Sequence, residues 1–277
     1  MVVLVFSKDR AMQLEGLLAS LFLHCREQEE IKIIVLYTCS HEETKGKYKE
    51  IMENYPRVLF WEELNFFIQV RDVLKQSPFV LFLVDDTLWV GDFSPSVLKS
   101  LLSTSPQAAG ISLRLGKNIT YCYPLDRPQA LPFCITQREG FLLYDWLSAS
   151  LDFAYPLEVS SSCYRTQDIL AVLQESVFKN PNELEGLLAN FVVRLLPDKR
   201  LLFCPEQSLA FSVPVNRVQN AVSNRFSYQP DYEVDKLDVK FAEGWRIDVE
   251  KLSGFVPQSC HQPLELPFKR VGEEQTR

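Results

Sequence analysis

The sequence predicts an α/β fold built on a mixed, mainly parallel sheet flanked by helices, and three observations carry that prediction. A continuous apolar run at residues 2–6 reads as a strand buried on both faces, and the apolar run 79–84 and the largely apolar 31–37 read as further strands. Segments with apolar residues at helical spacing separate them. Strand alternating with helix is the pattern of parallel strands joined by right-handed crossovers.

The opening run Val2-Val3-Leu4-Val5-Phe6 leads into a helix marked by Met12, Leu14, Leu17, Leu18, Leu21 and Phe22, started by Ser7 or Asp9. A strand over 31–37 is followed by a polar loop over 38–46, a helix over 47–54 and a short strand over 57–61. A helix over 65–76 precedes the most apolar strand, 79–84. Beyond Asp92 the pattern predicts a helix over 95–102 and a strand over 108–115. Residues 116–132, rich in Pro, Tyr and turn formers, suit loops lining a cleft, and helices are expected over 140–151, 166–177 and 182–195. These boundaries suggest a nucleotide-binding half over 1–112, a second half over 113–228, and a charged tail over 229–277 that packs on the body.

Composition narrows the function. Of 277 residues, 47% are apolar and 23% charged, with 29 Lys+Arg against 36 Asp+Glu, as in an ordinary globular protein. A net charge of −7 without a dense basic run argues against nucleic acid as the main partner. Seven cysteines without a CxxC pair point to reduced thiols and a cytoplasmic location. No run reaches the ~18 apolar residues of a membrane span, which leaves only peripheral membrane association open. GxGxxG, GxxxxGK[ST] and GxSxG are all absent, which removes the dinucleotide, P-loop and hydrolase-elbow signatures.

The segment that carries most chemistry is Phe79-Val80-Leu81-Phe82-Leu83-Val84-Asp85-Asp86-Thr87. Two adjacent carboxylates at the exit of a core strand stand where open α/β sheets bind ligands, and hard oxygen donors of this kind suit Mg²⁺ or Mn²⁺. Together with the opening Val2 to Arg10 (VVLVFSKDR) and with Arg71-Asp72, this segment resembles the GT-A type glycosyltransferases, broadly those of family 2. The resemblance covers about the first 115 residues and weakens afterwards; Asp-Asp-Thr stands in place of a full Asp-x-Asp. It implies a GT-A fold with a Rossmann-like nucleotide-sugar-binding half and an acceptor half. It also implies a nucleotide-diphosphate sugar donor, a glycan or other hydroxyl acceptor, and Mn²⁺ or Mg²⁺. Asp9 would approach the base, with Ser7 and Arg10 beside it, and Arg71 and Arg165 would face the base or diphosphate. Asp86 would bind the metal, with Asp85 orienting the ribose or sharing the ion.

Asn180-Pro181-Asn182-Glu183 has the form of a capping box, which accounts for Glu183 structurally. Glu185 is left over, beside the apolar face of Leu184, Leu187, Leu188 and Phe191, where a carboxylate becomes more basic. By the resemblance Glu185, with Glu183 second, is the general base of an inverting transfer. In Val213-Pro214-Val215-Asn216-Arg217, Asn216 and Arg217 are candidate polar contacts, and His261 is a candidate further metal ligand. Two rivals stand beside this reading: a sugar nucleotidyltransferase, disfavoured because residues 6–12 hold no glycine, and a non-catalytic GT-A-like binding protein. The enzyme reading requires the twin aspartates to look into an open pocket rather than be locked against arginines.

Overall fold

The computed structural model describes residues 1–174, 176–214, 216 and 232–272. The first half alternates as expected: β1 (Val2–Lys8), α1 (Ala11–His24), β2 (Lys32–Thr38), α2 (Glu42–Asn54), β3 (Leu59–Glu62), α3 (Phe66–Leu74) and β4 (Phe79–Val84). A short β5 (Thr87–Trp89), α4 (Pro95–Thr104) and β6 (Ala108–Ser112) follow. After the small hairpin of β7 (Tyr121–Cys122) and β8 (Arg127–Pro128) come β9 (Cys134–Arg138), β10 (Phe141–Asp145), β11 (Ser161–Arg165), α5 (Thr166–Leu173), α6 (Pro181–Leu195) and β12 (Leu201–Pro205). The chain closes with β13 (Ala210–Ser212), α7 (Val234–Ala242), β14 (Trp245–Ile247) and β15 (Phe268–Arg270).

Nine of these strands form one sheet in the order β3-β2-β1-β4-β11-β6-β12-β10-β9. β11 lies antiparallel to both β4 and β6, and β10 is antiparallel to its neighbours β12 and β9. The other strands share the direction of β1, which is the mixed, mainly parallel sheet the sequence predicts. The expected boundary near residue 112 falls inside this sheet, because β11 sits between two strands of the first half.

The unbroken apolar runs are explained by helices on both faces. From β1, Val3 and Val5 join the cluster that holds Leu14, Leu17, Leu18 and Leu21 of α1, whereas Val2, Leu4 and Phe6 join the cluster of Phe66 and Val70 of α3 with Leu184 and Leu188 of α6. Among the described residues, Ile247 of β14 seats against α1 at Gly16, where an added Cβ would stand 2.8 Å from the Ile247 Cδ1.

Three local expectations change. α2 begins at Glu42 rather than at residue 47, because its first turn, Glu42-Glu43-Thr44-Lys45, is wholly polar and so shows no apolar period. The expected helix over 140–151 is the strand β10 followed by two 3₁₀ turns. Its apolar run is short, it starts after Gly140 at φ 78, and its side chains alternate between the two core clusters. Neither Ser7 nor Asp9 caps α1; Arg10 holds the N-cap position without a side-chain cap.

Candidate active site at the carboxyl edge of the sheet

The parallel strands β1, β2, β3 and β4 end on one edge, and the residues just past them converge there. Asp9 adopts φ 52, a left-handed conformation that costs a non-glycine residue of order 1 kcal/mol. In return its carboxylate accepts from the Ser40 amide and from the Ser40 hydroxyl, both at 2.6 Å, which ties the exit of β1 to the exit of β2.

Asp85 and Asp86 stand at the exit of β4, where one arginine already offsets half of their formal charge. Arg10 Nη1 donates to Asp85 Oδ1 at 2.9 Å and to Asp86 Oδ2 at 3.1 Å. The other oxygen of Asp85 accepts from the Ser7 hydroxyl and the Lys8 amide, each at 3.1 Å. Ser7 is hydrogen-bonded in turn to the buried Tyr48 hydroxyl at 2.5 Å. Arg10 Nη2 donates to the Asn216 carbonyl at 3.1 Å, and Gln13 holds the Asn216 side chain.

Burial pushes the Asp86 carboxyl up to about 6; Arg10 opposes that rise and Asp85 adds to it. For Arg10, burial works against the charge, yet the two aspartates more than offset it and hold the guanidinium above its ordinary pKa. A hollow of about 10 Å³, the space of roughly one water, lies beside the acids between Gln13, Leu88, Val213, Ile247 and Leu266. The pair is therefore locked against an arginine with only a minimal hollow, not open to a pocket. Nor do the two aspartates fit a bridging divalent ion in this arrangement: both oxygens of Asp85 are engaged and the guanidinium nitrogen occupies the bridge. Among the described residues no group of three acids, thiols or imidazoles comes together to hold a metal.

His261 pairs with Ser212, whose side chain faces Asp86. Its Nδ1 is buried without a partner among the described residues, and burial, with Arg114 adding, lowers the imidazole to about 3 and keeps it neutral.

A second cluster lies one strand over. Because β11 runs against β4, the start of β11 meets the end of β4, with Ser161 opposite Leu83 and the Thr87 hydroxyl donating to the Ser160 carbonyl at 2.8 Å. The segment before β11 is shaped by Glu158, which is fully buried and accepts from the Ser160 and Ser161 amides and from the Ser160 and Ser162 hydroxyls. Arg114 approaches Glu158 at 3.7 Å and donates to the Ser160 hydroxyl at 3.0 Å. Glu185, in the first turns of α6, accepts from the Val159 amide at 3.1 Å. Burial raises its carboxyl, Glu158 adds to the rise and Arg114 opposes it. The cluster thus holds one carboxylate more than its single arginine compensates.

Other expected site residues lie elsewhere. Arg71 is in the last turn of α3, with its guanidinium 5.2 Å from the Phe67 ring centre. Arg165 pairs with Phe79, the first residue of β4, so it sits at the opposite edge of the sheet; there it binds Asp168 at 2.8 Å and the Leu102 carbonyl at 2.7 Å. Glu183 is exposed and accepts from the Lys179 amide at 2.8 Å, while Asn180 caps the Glu183 amide. Arg217 lies outside the described residues.

Sequence reasoning missed Arg114 and Tyr48. Arg114 carried a signal, being a lone charge inside the apolar run Ile111 to Leu115; Tyr48, in a polar helix, carried none. The loop expected to line a cleft contributes Lys117, Leu131 and Pro132 to an apolar cavity of about 130 Å³ over β10 and β12. β12 lies three strand spacings from β4, roughly 14 Å across the sheet, so that cavity is lined by other residues than those around the acid pair.

Comparison with known proteins decides the relationship. Over 97% of its length the chain is 29% identical to the bifunctional glycosyltransferase pgtA of Dictyostelium discoideum. The chain is a homologue of a glycosyltransferase. It spans 38% of that relative's length. Among solved structures it is similar to S. aureus TarS, at 16% identity and a TM-score of 0.49 over 76% of this chain and 36% of that one. The 1–349 segment of TarS in complex with UDP-GlcNAc aligns at 17% identity and a TM-score of 0.48, over 93% and 68%. No family profile matches the chain.

Proposed function

We propose that this chain transfers a sugar from a nucleotide-diphosphate donor to a hydroxyl acceptor, with inversion at the anomeric carbon. Homology to a glycosyltransferase along nearly the whole chain supports the reaction class. The observation that carries the mechanism is Glu185: a carboxylate made basic by burial, held by the Val159 amide next to the strand that pairs with the exit of β4. A general base must accept a proton near working pH, and such a carboxylate is suited to it.

In this reading Glu185 takes the proton of the acceptor hydroxyl. The acceptor oxygen forms a bond to the anomeric carbon from the face opposite the donor diphosphate, while the bond from that carbon to the diphosphate oxygen breaks and the nucleoside diphosphate departs. Asp9, Ser7 and Lys8 form the β1 side of the donor site, and the apolar cavity over β10 and β12 lies on the acceptor side. The twin aspartates do not meet the open-pocket requirement set from the sequence, so the reading rests on homology and on Glu185 instead. The expected Mn²⁺ or Mg²⁺ enters no step, because the acid pair is bridged by Arg10.

Calorimetric titration with UDP, GDP, CDP and dTDP tests the donor class, followed by assay of nucleoside diphosphate release from the matching sugar nucleotide. Micromolar binding of one nucleoside diphosphate is the expected result, and binding of none overturns the reading. The closed acid pair favours one alternative, a binding protein that holds partners without transfer, and the same absence of binding would support it.

A further inference from the structure

One nitrogen of Arg10 sits between an oxygen of Asp85 and an oxygen of Asp86, at 2.9 and 3.1 Å, which is the bridging position a divalent cation takes between two carboxylates. We propose that Arg10 is the resident cation of this acid pair, so that any divalent ion must displace it to bind there, and that Arg10 thereby sets how weakly this chain holds such ions.

Charge supplies the reason. A guanidinium between two carboxylates leaves the set one unit negative, so a further cation is attracted; a divalent ion entering beside Arg10 would also meet a fixed positive charge at contact distance. At the low effective dielectric of a buried site that repulsion is strong. Both partners are shielded from water, Arg10 being 8% and Asp85 5% exposed, so solvent does not screen the competition.

The hold on Arg10 is also incomplete. Its Nη1 and Nη2 are engaged, but its Nε is buried without a partner among the described residues, and the adjoining hollow has room for about one water. A fully satisfied guanidinium would be a permanent strut. One with an orphan donor beside a small void is a displaceable occupant. Release would also free the Asn216 carbonyl, which links ion entry to the segment after β13.

The inference concerns ion binding alone and does not rest on the transferase reading; it is tested on the whole chain with manganese as the only ligand. Mn²⁺ affinity is measured by paramagnetic titration of wild type, R10Q and R10K. R10Q is expected to bind Mn²⁺ at least tenfold more tightly than wild type, and R10Q/D86N to lose that gain. Equal Mn²⁺ affinity in wild type and R10Q overturns the proposal, as does a gain that survives in R10Q/D86N. Should R10Q not fold, R10K decides: its shorter ammonium reaches one carboxylate at a time, so about threefold tighter Mn²⁺ binding is expected, and no change overturns the proposal.

Discussion

Two clusters at the same edge of the sheet have the same formal make-up, one arginine and two carboxylates, and differ in closeness. Around Arg10, one guanidinium nitrogen touches both acids within 3.1 Å. Around Arg114, the guanidinium serves Glu158, at 3.7 Å, and the Ser160 hydroxyl, while Glu185 is held by a backbone amide instead. The first arrangement consumes its charge in holding β1, β4 and Asn216 together. The second leaves one carboxylate basic. At equal formal charge, the distance at which the arginine sits decides which carboxylates it holds and which it leaves basic.

The largest effect that would sharpen this contrast is on transfer. E185Q is expected to lower kcat by about 10²–10⁴-fold while leaving nucleoside diphosphate affinity unchanged, since only proton acceptance is removed. In the wild type, activity should fall as pH drops through the raised Glu185 pKa, which places the acid limb above the ordinary glutamate value of 4.5. An acid limb at or below that value, with full activity in E185Q, would break the comparison on the catalytic side.

Next in size is R114M, which strands Glu158 in a fully buried position. Losing one partner of a buried ion pair costs about 3–5 kcal/mol, and urea denaturation reads it directly. A cost below about 1 kcal/mol would mean that the serine amides and hydroxyls alone hold the Glu158 charge.

The smallest effect concerns Asp86. Its folded-state pKa of about 6 lies above the reference value of 3.8, so the folded protein takes up this proton more readily than the unfolded chain. The contribution is complete below pH 3.8 and is lost as pH rises through 6. D86N, which leaves Arg10 paired to Asp85, should therefore be about 1–2 kcal/mol more stable than wild type at pH 8, with the advantage gone near pH 4. Equal denaturation midpoints at pH 8 would show that Arg10 compensates both acids fully.

Much of this was legible from residues alone. The apolar runs of β1, β2 and β4 and the capping pattern of Asn180 report local structure, because burial on both faces and a free helix end each impose a composition. The leftover status of Glu185 was visible for the same reason: once Glu183 was explained by the cap, the next acid had no local role. What could not be read was which distant groups meet. Nothing in Phe6 to Met12 announces that Arg10 folds back between two aspartates 75 and 76 positions later. Arg165 looks suited to a phosphate site in one dimension, yet the antiparallel sense of β11 sends it to the far edge. FLLYD shows how a four-residue apolar run is ambiguous until its neighbours in the sheet are known.

The position of β11 bears on how the polypeptide is made. During synthesis β4 and β6 emerge early, but the strand that joins them arrives only with residues 161–165, so both flanks wait with unpaired backbone until then. Contacts so distant along the chain close slowly. A nascent chain cut short before Ser161 would leave the margins of β4 and β6 open, and chaperone dependence should fall in two steps, once Arg165 has cleared the ribosome and again once Pro205 has, when β12 joins β6 to β10.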